Sequence, residues 1–157
     1  MEVPQGTLYS IGQNIARGIT PTASGWDTSP SDLENATDGD PTTATGVGST
    51  TTTGAGTVGY IYFDFGRNVN VICYLLRRSW SDTNDFSIIP YSSIDGATYR
   101  RSGIEIRTGW YNADPGIAMP SGVFSHYGRY LKLYCYANGA GTHSLVIHEF
   151  IALGVIP

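Results

Sequence analysis

Asp38-Gly39-Asp40 places two carboxylates either side of a glycine. The glycine lets the backbone turn sharply, so that oxygens of both aspartates can converge on a hard cation such as calcium. The same spacing also suits a plain turn, in which each Asp side chain accepts hydrogen bonds from its own loop. It is not an EF-hand loop, which needs glycine where Thr43 stands and glutamate where Ser49 stands.

A second chemistry is suggested by tryptophans beside short polar residues. Flat aromatic faces stack on the C–H surfaces of sugars while Asp, Asn and similar groups bond the hydroxyls. Three segments have this make-up: Trp26-Asp27; Trp80-Ser81-Asp82-Thr83-Asn84; and Trp110-Tyr111-Asn112 followed by Asp114. The candidate ligand-binding residues are therefore Trp26, Trp80, Asp82, Asn84, Trp110, Tyr111 and Asn112. The competing role for each tryptophan is to cap one end of a hydrophobic core.

Catalytic groupings are missing by comparison. His126, His143 and His148 sit in different segments, and the chain has neither a Gly-x-Ser-x-Gly elbow nor a His-x-x-x-His pair. His148 and Glu149, neighbours on a strand, point to opposite faces and are not coupled by adjacency. Asp82, Asp85 and Asp114 read as surface-loop carboxylates rather than a glycosidase pair. Gly54-Ala55-Gly56-Thr57-Val58-Gly59 has the glycine spacing of a dinucleotide loop but precedes a strand, where that mechanism needs a strand before and a helix after. Asn35-Ala36-Thr37 is a glycosylation sequon that matters only in a secretory pathway. The expectation is a protein that is not an enzyme.

The elements that must position these residues are strands. The 157 residues suit one domain, and charged residues are only 14% of the chain against roughly 25% in average proteins. Alternation marks Tyr60 to Phe65, with Ile61, Phe63 and Phe65 on one face, and Val69 to Arg77, with Val69, Val71, Cys73 and Leu75 on one face. Gly66 separates these two runs. Further strands are expected over Phe86 to Tyr91, Thr98 to Arg101, Ile104 to Thr108, Arg129 to Tyr136 and Leu145 to Leu153. Helix is limited to one turn within Ser31 to Thr37. Gly46 to Gly59, rich in Thr and Gly, reads as a mobile surface loop. Cys73 and Cys135 fall on apolar faces and read as buried free thiols.

Net charge is −4 and the longest basic runs are the pairs Arg77-Arg78 and Arg100-Arg101, which argues against nucleic acid. No stretch approaches the ~20 apolar residues of a membrane span, so membrane insertion is not expected. The first residues lack the basic start and apolar run of a secretory signal. A soluble chain is expected, one whose signal has been trimmed away or that reaches the outside by another route such as lysis by a virus.

The order of short motifs carries a resemblance. It runs Asn14-Ile15-Ala16-Arg17-Gly18, Ala23-Ser24, Asn35 through Thr43, Gly59 through Gly66, Tyr91 through Tyr99, Gly128 through Tyr134, then Glu149-Phe150 and Gly154. From residue 14 to 154 the chain resembles the discoidin family. More broadly it is similar to the galactose-binding-like jelly rolls, which include coagulation-factor C domains and carbohydrate-binding modules. One departure is Thr45, where that family usually carries Trp.

The resemblance implies an all-β jelly-roll sandwich of about eight antiparallel strands with almost no helix, over 14–157, preceded by an N-terminal arm, 1–13. It implies ligands met by loops at one end, and a structural calcium ion held by Asp38, Asp40, Thr43 (carbonyl or hydroxyl) and Glu149. The functional expectation is a non-catalytic module for cell-surface or polysaccharide glycans. The alternative is a virion structural protein, a phage decoration protein or tail or fibre component, with other viral structural proteins as partners and a possible homo-oligomer. The expected setting is extracellular or the virion surface.

Overall fold

A computed structural model describes residues 12–80, 86–103, 105–108 and 126–157. It is all-β and antiparallel, with nine strands among the described residues: β1 (Gln13–Asn14), β2 (Thr22–Ser24), β3 (Thr45–Thr52), β4 (Gly56–Trp80), β5 (Phe86–Ser93), β6 (Arg100–Arg101), β7 (Ile106–Thr108), β8 (His126–Ala137) and β9 (Gly141–Val155). Among the described residues the one helical element is a turn of 3-10 helix over Leu33–Thr37, where the sequence placed it.

The sandwich comes from a single strand that serves both layers. The first part of β4 pairs with β8, from Gly56↔Ala137 to Val71↔His126, and its last part pairs with β9, from Asn70↔Val155 to Trp80↔Leu145. The first layer is β2, β4, β8 and β5, with β6 and β7 on the outer edge of β5. The second is the end of β4, then β9, with β1 and β3 on its other edge. Gly66, expected to break the strand, instead sits at φ 72 inside the one β4, beside a register shift between Asp64 and Val69. A left-handed glycine there bends the strand without ending it.

Alternation puts Ile61, Phe63, Leu131, Leu133, Cys135 and Ile88 inside the first layer and Leu145, Ile147, Phe150 and Ala152 inside the second. The layers meet ring on ring: Phe63 and Phe150 stack at 4.5 Å between centroids, and Tyr74 lies on Phe150 at 5.8 Å. The Tyr74 hydroxyl and His126 Nδ1 are hydrogen-bonded at 2.8 Å within this core. Burial pulls the His126 pKa down to about 4, so the imidazole is neutral at physiological pH.

Two expectations are corrected by backbone pairing. Gly46 to Gly59 is not a mobile loop: β3 pairs with β9 from Thr45↔Ile147 to Thr52↔Gly141, and a short turn leads directly into β4. Repeated threonine looks low in complexity, yet its β-branched side chain suits a pleated, half-buried surface. The run from Val69 does not keep one face inward either. A bulge between Val71 and Cys73 shifts the register, so Tyr74 and Leu76 enter the core beyond it. Cys73 is consequently only half-buried, while Cys135 is buried as expected; neither is in a disulfide.

The outward face of the first layer is unusual. Tyr60 and Tyr62 on β4, Tyr130, Tyr134 and Tyr136 on β8 and Tyr91 on β5 all lie between the core positions and are partly exposed. Asp64 at its lower edge is held by Arg129 through two bonds of 2.7 and 2.8 Å. That pairing keeps the Asp64 carboxyl below the usual range.

Candidate functional site

One end of the sandwich holds Trp26 and the last residue of β4, Trp80. The short turn after β3 leads from Thr52, paired with Gly141, to Gly56, paired with Ala137, and the turn from β8 to β9 lies beside it. β7 ends here as well, because Thr108 pairs with Phe86, which pairs with Ala137. Trp110, Tyr111 and Asn112 lie outside the described residues. Asp82 and Asn84 lie outside them too. Trp80, expected in a loop, is the last residue of β4 and pairs with Leu145, four residues from the start of β9.

Trp26 is brought to the same end by packing. Its ring lies across two glycines of neighbouring strands: a Cβ on Gly59 would come within 2.4 Å of it, and one on Gly48 within 2.6 Å. Gly48 is paired with Leu145 and Gly59 with Cys135, so the indole covers both layers near the end of the core. Trp26 Nε1 donates to the Tyr60 carbonyl at 3.3 Å. Asp27 is likewise used locally, its Oδ2 accepting from the Thr51 amide at 3.1 Å. The indole thus serves as a core cap.

The acidic loop lies elsewhere, along β9. Asp38 follows the helical turn; its Oδ1 accepts from the Asp40 amide at 2.8 Å and its Oδ2 from the Thr43 hydroxyl at 2.9 Å. Asp40 Oδ1 accepts from the Thr42 hydroxyl (2.6 Å) and amide (2.9 Å), which lowers its pKa. These are the Asx-type bonds of a turn. The Thr43 carbonyl accepts from His148 Nδ1 at 3.0 Å. His148 is the extra residue of a bulge in β9, since Arg77 pairs with Glu149 and Arg78 with Ile147.

Glu149 beneath this loop is the anomaly. The residue is only 7% exposed and neither carboxylate oxygen meets a donor in good hydrogen-bond geometry. Burial raises its pKa and the nearby Asp38 and Asp40 charges add to the rise, while the Gly39 amide and Arg17 act the other way. Arg17 packs its guanidinium against Gly39, where a Cβ would meet it at 2.7 Å. The donors here are all hard oxygens, and an orphaned buried carboxylate facing others is where a cation lowers the energy most. Among the described residues no three of His, Cys, Asp and Glu converge closely enough to hold a metal by themselves. A cation would need neutral oxygens of the loop as well, as calcium accepts.

Among the described residues the histidines are separated. His126 is bound to Tyr74, His143 to Thr52 at 3.1 Å, and His148 to Thr43.

The described strands thus form an antiparallel jelly roll, the fold of the discoidin-like, galactose-binding-like proteins. No protein-family profile matches the sequence. No curated protein matches it either. Solved structures do. A chitosan-binding module of a chitosanase/glucanase from Paenibacillus sp. IK-5 superposes with a TM-score of 0.61 at 17% identity, over 90% of this chain and 99% of that one. A fucose-binding module of Streptococcus pneumoniae gives 0.59 at 16%, over 90% and 95%. A family 89 glycoside hydrolase of Clostridium perfringens gives 0.60 at 17%, over 89% of this chain but only 14% of the enzyme. The chain therefore has the fold of carbohydrate-binding modules, and at these identities the likeness shows the fold.

Proposed function

We propose that this chain is a non-catalytic glycan-binding module. The observation that carries the reading is the extent of the likeness: it takes in 99% of a chitosan-binding module but 14% of a glycoside hydrolase. The ligand end is the one where Trp80 closes β4, with Asp82 and Asn84 next to Trp80 in sequence; Trp110, Tyr111, Asn112 and Asp114 are the further candidates from the sequence. Calcium is the second part of the reading. Glu149 and Asp38, completed by Thr43, Asp40 and loop carbonyls, would hold it, and the ion would neutralise the buried carboxylate and tie the loop to β9. The setting is extracellular, where polysaccharide is met. No observation favours the alternative of a virion part.

A glycan array on the native protein tests the reading directly. Trp80→Ala and Trp110→Ala are expected to lose glycan binding at least tenfold while melting near the wild-type temperature. Trp26→Ala should behave differently, losing roughly 2–3 kcal/mol of stability in urea titration because the ring covers the core. Wild-type binding by both Trp80 and Trp110 variants would remove these residues from the ligand site.

A further inference from the structure

We propose that the outward tyrosine face of the first layer is a second carbohydrate surface, one that takes an extended polysaccharide bearing carboxylated sugars, with Lys132 meeting the carboxylate. The proposal rests on the glycan-binding reading but on different residues from the loop end.

Register places these residues in one line. Arg101 pairs with Tyr91, Tyr91 with Lys132, Lys132 with Tyr62, and Tyr62 with Thr22. Residues directly opposite on antiparallel strands share a face, so the five form a straight row across the sheet. Four strand spacings of ~4.8 Å make it ~19 Å long, a length for several sugar rings laid end to end. The next row, Tyr134 opposite Tyr60, runs alongside.

The rings are contiguous. Tyr60 and Tyr134 lie 5.4 Å apart between centroids, Tyr60 and Tyr62 6.0 Å, Tyr91 and Tyr134 6.2 Å, and Tyr62 and Tyr99 6.3 Å. Tyr99 comes from the loop after β5, held in place by Asp95. That carboxylate accepts from the Thr98 and Ala97 amides at 2.9 Å, which lowers its pKa to about 2. A broad run of half-exposed rings with hydroxyl edges offers stacking for sugar faces and bonds for their hydroxyls.

Charge selects among sugars. Lys132 Nζ stands 4.5 Å from the Tyr99 ring centre, 5.3 Å from Tyr60 and 5.5 Å from Tyr91. Among the described residues it has no carboxylate partner; the ion pair there is Arg129–Asp64. The two acids nearest this face are occupied, Asp64 by Arg129 and Asp95 by its own loop amides. The centre of the platform is thus a cation framed by π faces, with the exposed Arg101 at the end of the row. Rings alone would accept neutral chains equally; an uncompensated ammonium at their centre favours an anionic one.

Isothermal titration with polygalacturonate, its fully methyl-esterified form and a neutral galactan tests this. Wild type is expected to bind polygalacturonate best, and Lys132→Gln to weaken it at least tenfold, with esterified binding and melting temperature unchanged. Tyr62→Ala should weaken both forms. If Lys132→Gln binds polygalacturonate like wild type, or wild type does not distinguish it from the ester, the surface assignment fails while array binding keeps the module reading. Wild type that binds no saccharide in any assay sinks both. A dimer in sedimentation that Tyr62→Ala dissociates would make this face a self-association surface and overturn the proposal.

Discussion

Phe150→Ala is expected to cost about 3–5 kcal/mol, the range for emptying a fully buried aromatic site. Phe150 is 1% exposed and stands where the two layers touch, stacked with both Phe63 and Tyr74. Truncation removes both ring contacts and leaves a hole lined by rigid strands that cannot close over it. Domains of this kind are stable by only about 5–15 kcal/mol, so the variant loses a large share of its margin. Urea titration should show a lower midpoint with an unchanged slope, and Phe150→Leu should fall between the two proteins. A loss below about 1 kcal/mol would mean that the layers are not joined through this ring.

The second large effect is a reversal at Glu149. Its carboxyl is raised in the folded protein, first by burial and then by Asp38 and Asp40. A raised folded-state value means the fold holds this proton more tightly than the unfolded chain does. The stabilising contribution is therefore full below the unfolded value and lost as pH rises through the folded one. At neutral pH without calcium, the charged and unpartnered carboxylate is a liability. Glu149→Gln should melt above wild type in chelator at pH 7, and the gap should shrink on acidification towards the carboxylate range. Calcium at 100 times its dissociation constant should add about 2.7 kcal/mol to wild type and nothing to the variant, so the order of melting reverses. Calorimetry of both proteins with and without calcium measures it. A wild-type transition that calcium does not move would remove the ion from the site and leave the raised carboxyl to be checked by pH alone.

Both effects bear on what the chain's order of residues can disclose. The strands from Tyr60 onward, the single helical turn and the inward set Ile61, Phe63, Leu131 and Leu133 were legible, because alternation with period two is a local property. The resemblance to discoidin-like jelly rolls was legible too, as an order of short motifs. Bulges were not. The shift between Val71 and Cys73 exchanges faces for the rest of β4, and nothing in that run announces it, since the bulge is set by pairing with β9.

Sequence alone suggested two chemistries, oxygen ligands at Asp38 and Asp40 and aromatic residues near polar ones, and determined the faces on which Tyr60 and Tyr62 lie. Only the tertiary structure decided which of these meet. It turned Trp26 into a cap on Gly48 and Gly59, left Glu149 buried and unpartnered below the acidic loop, and lined up Tyr91, Lys132 and Tyr62 from three strands. The physical reason is that side-chain alternation is fixed within a strand, whereas the neighbours of a residue are fixed by register between strands, over separations here of 70 residues between Tyr62 and Lys132.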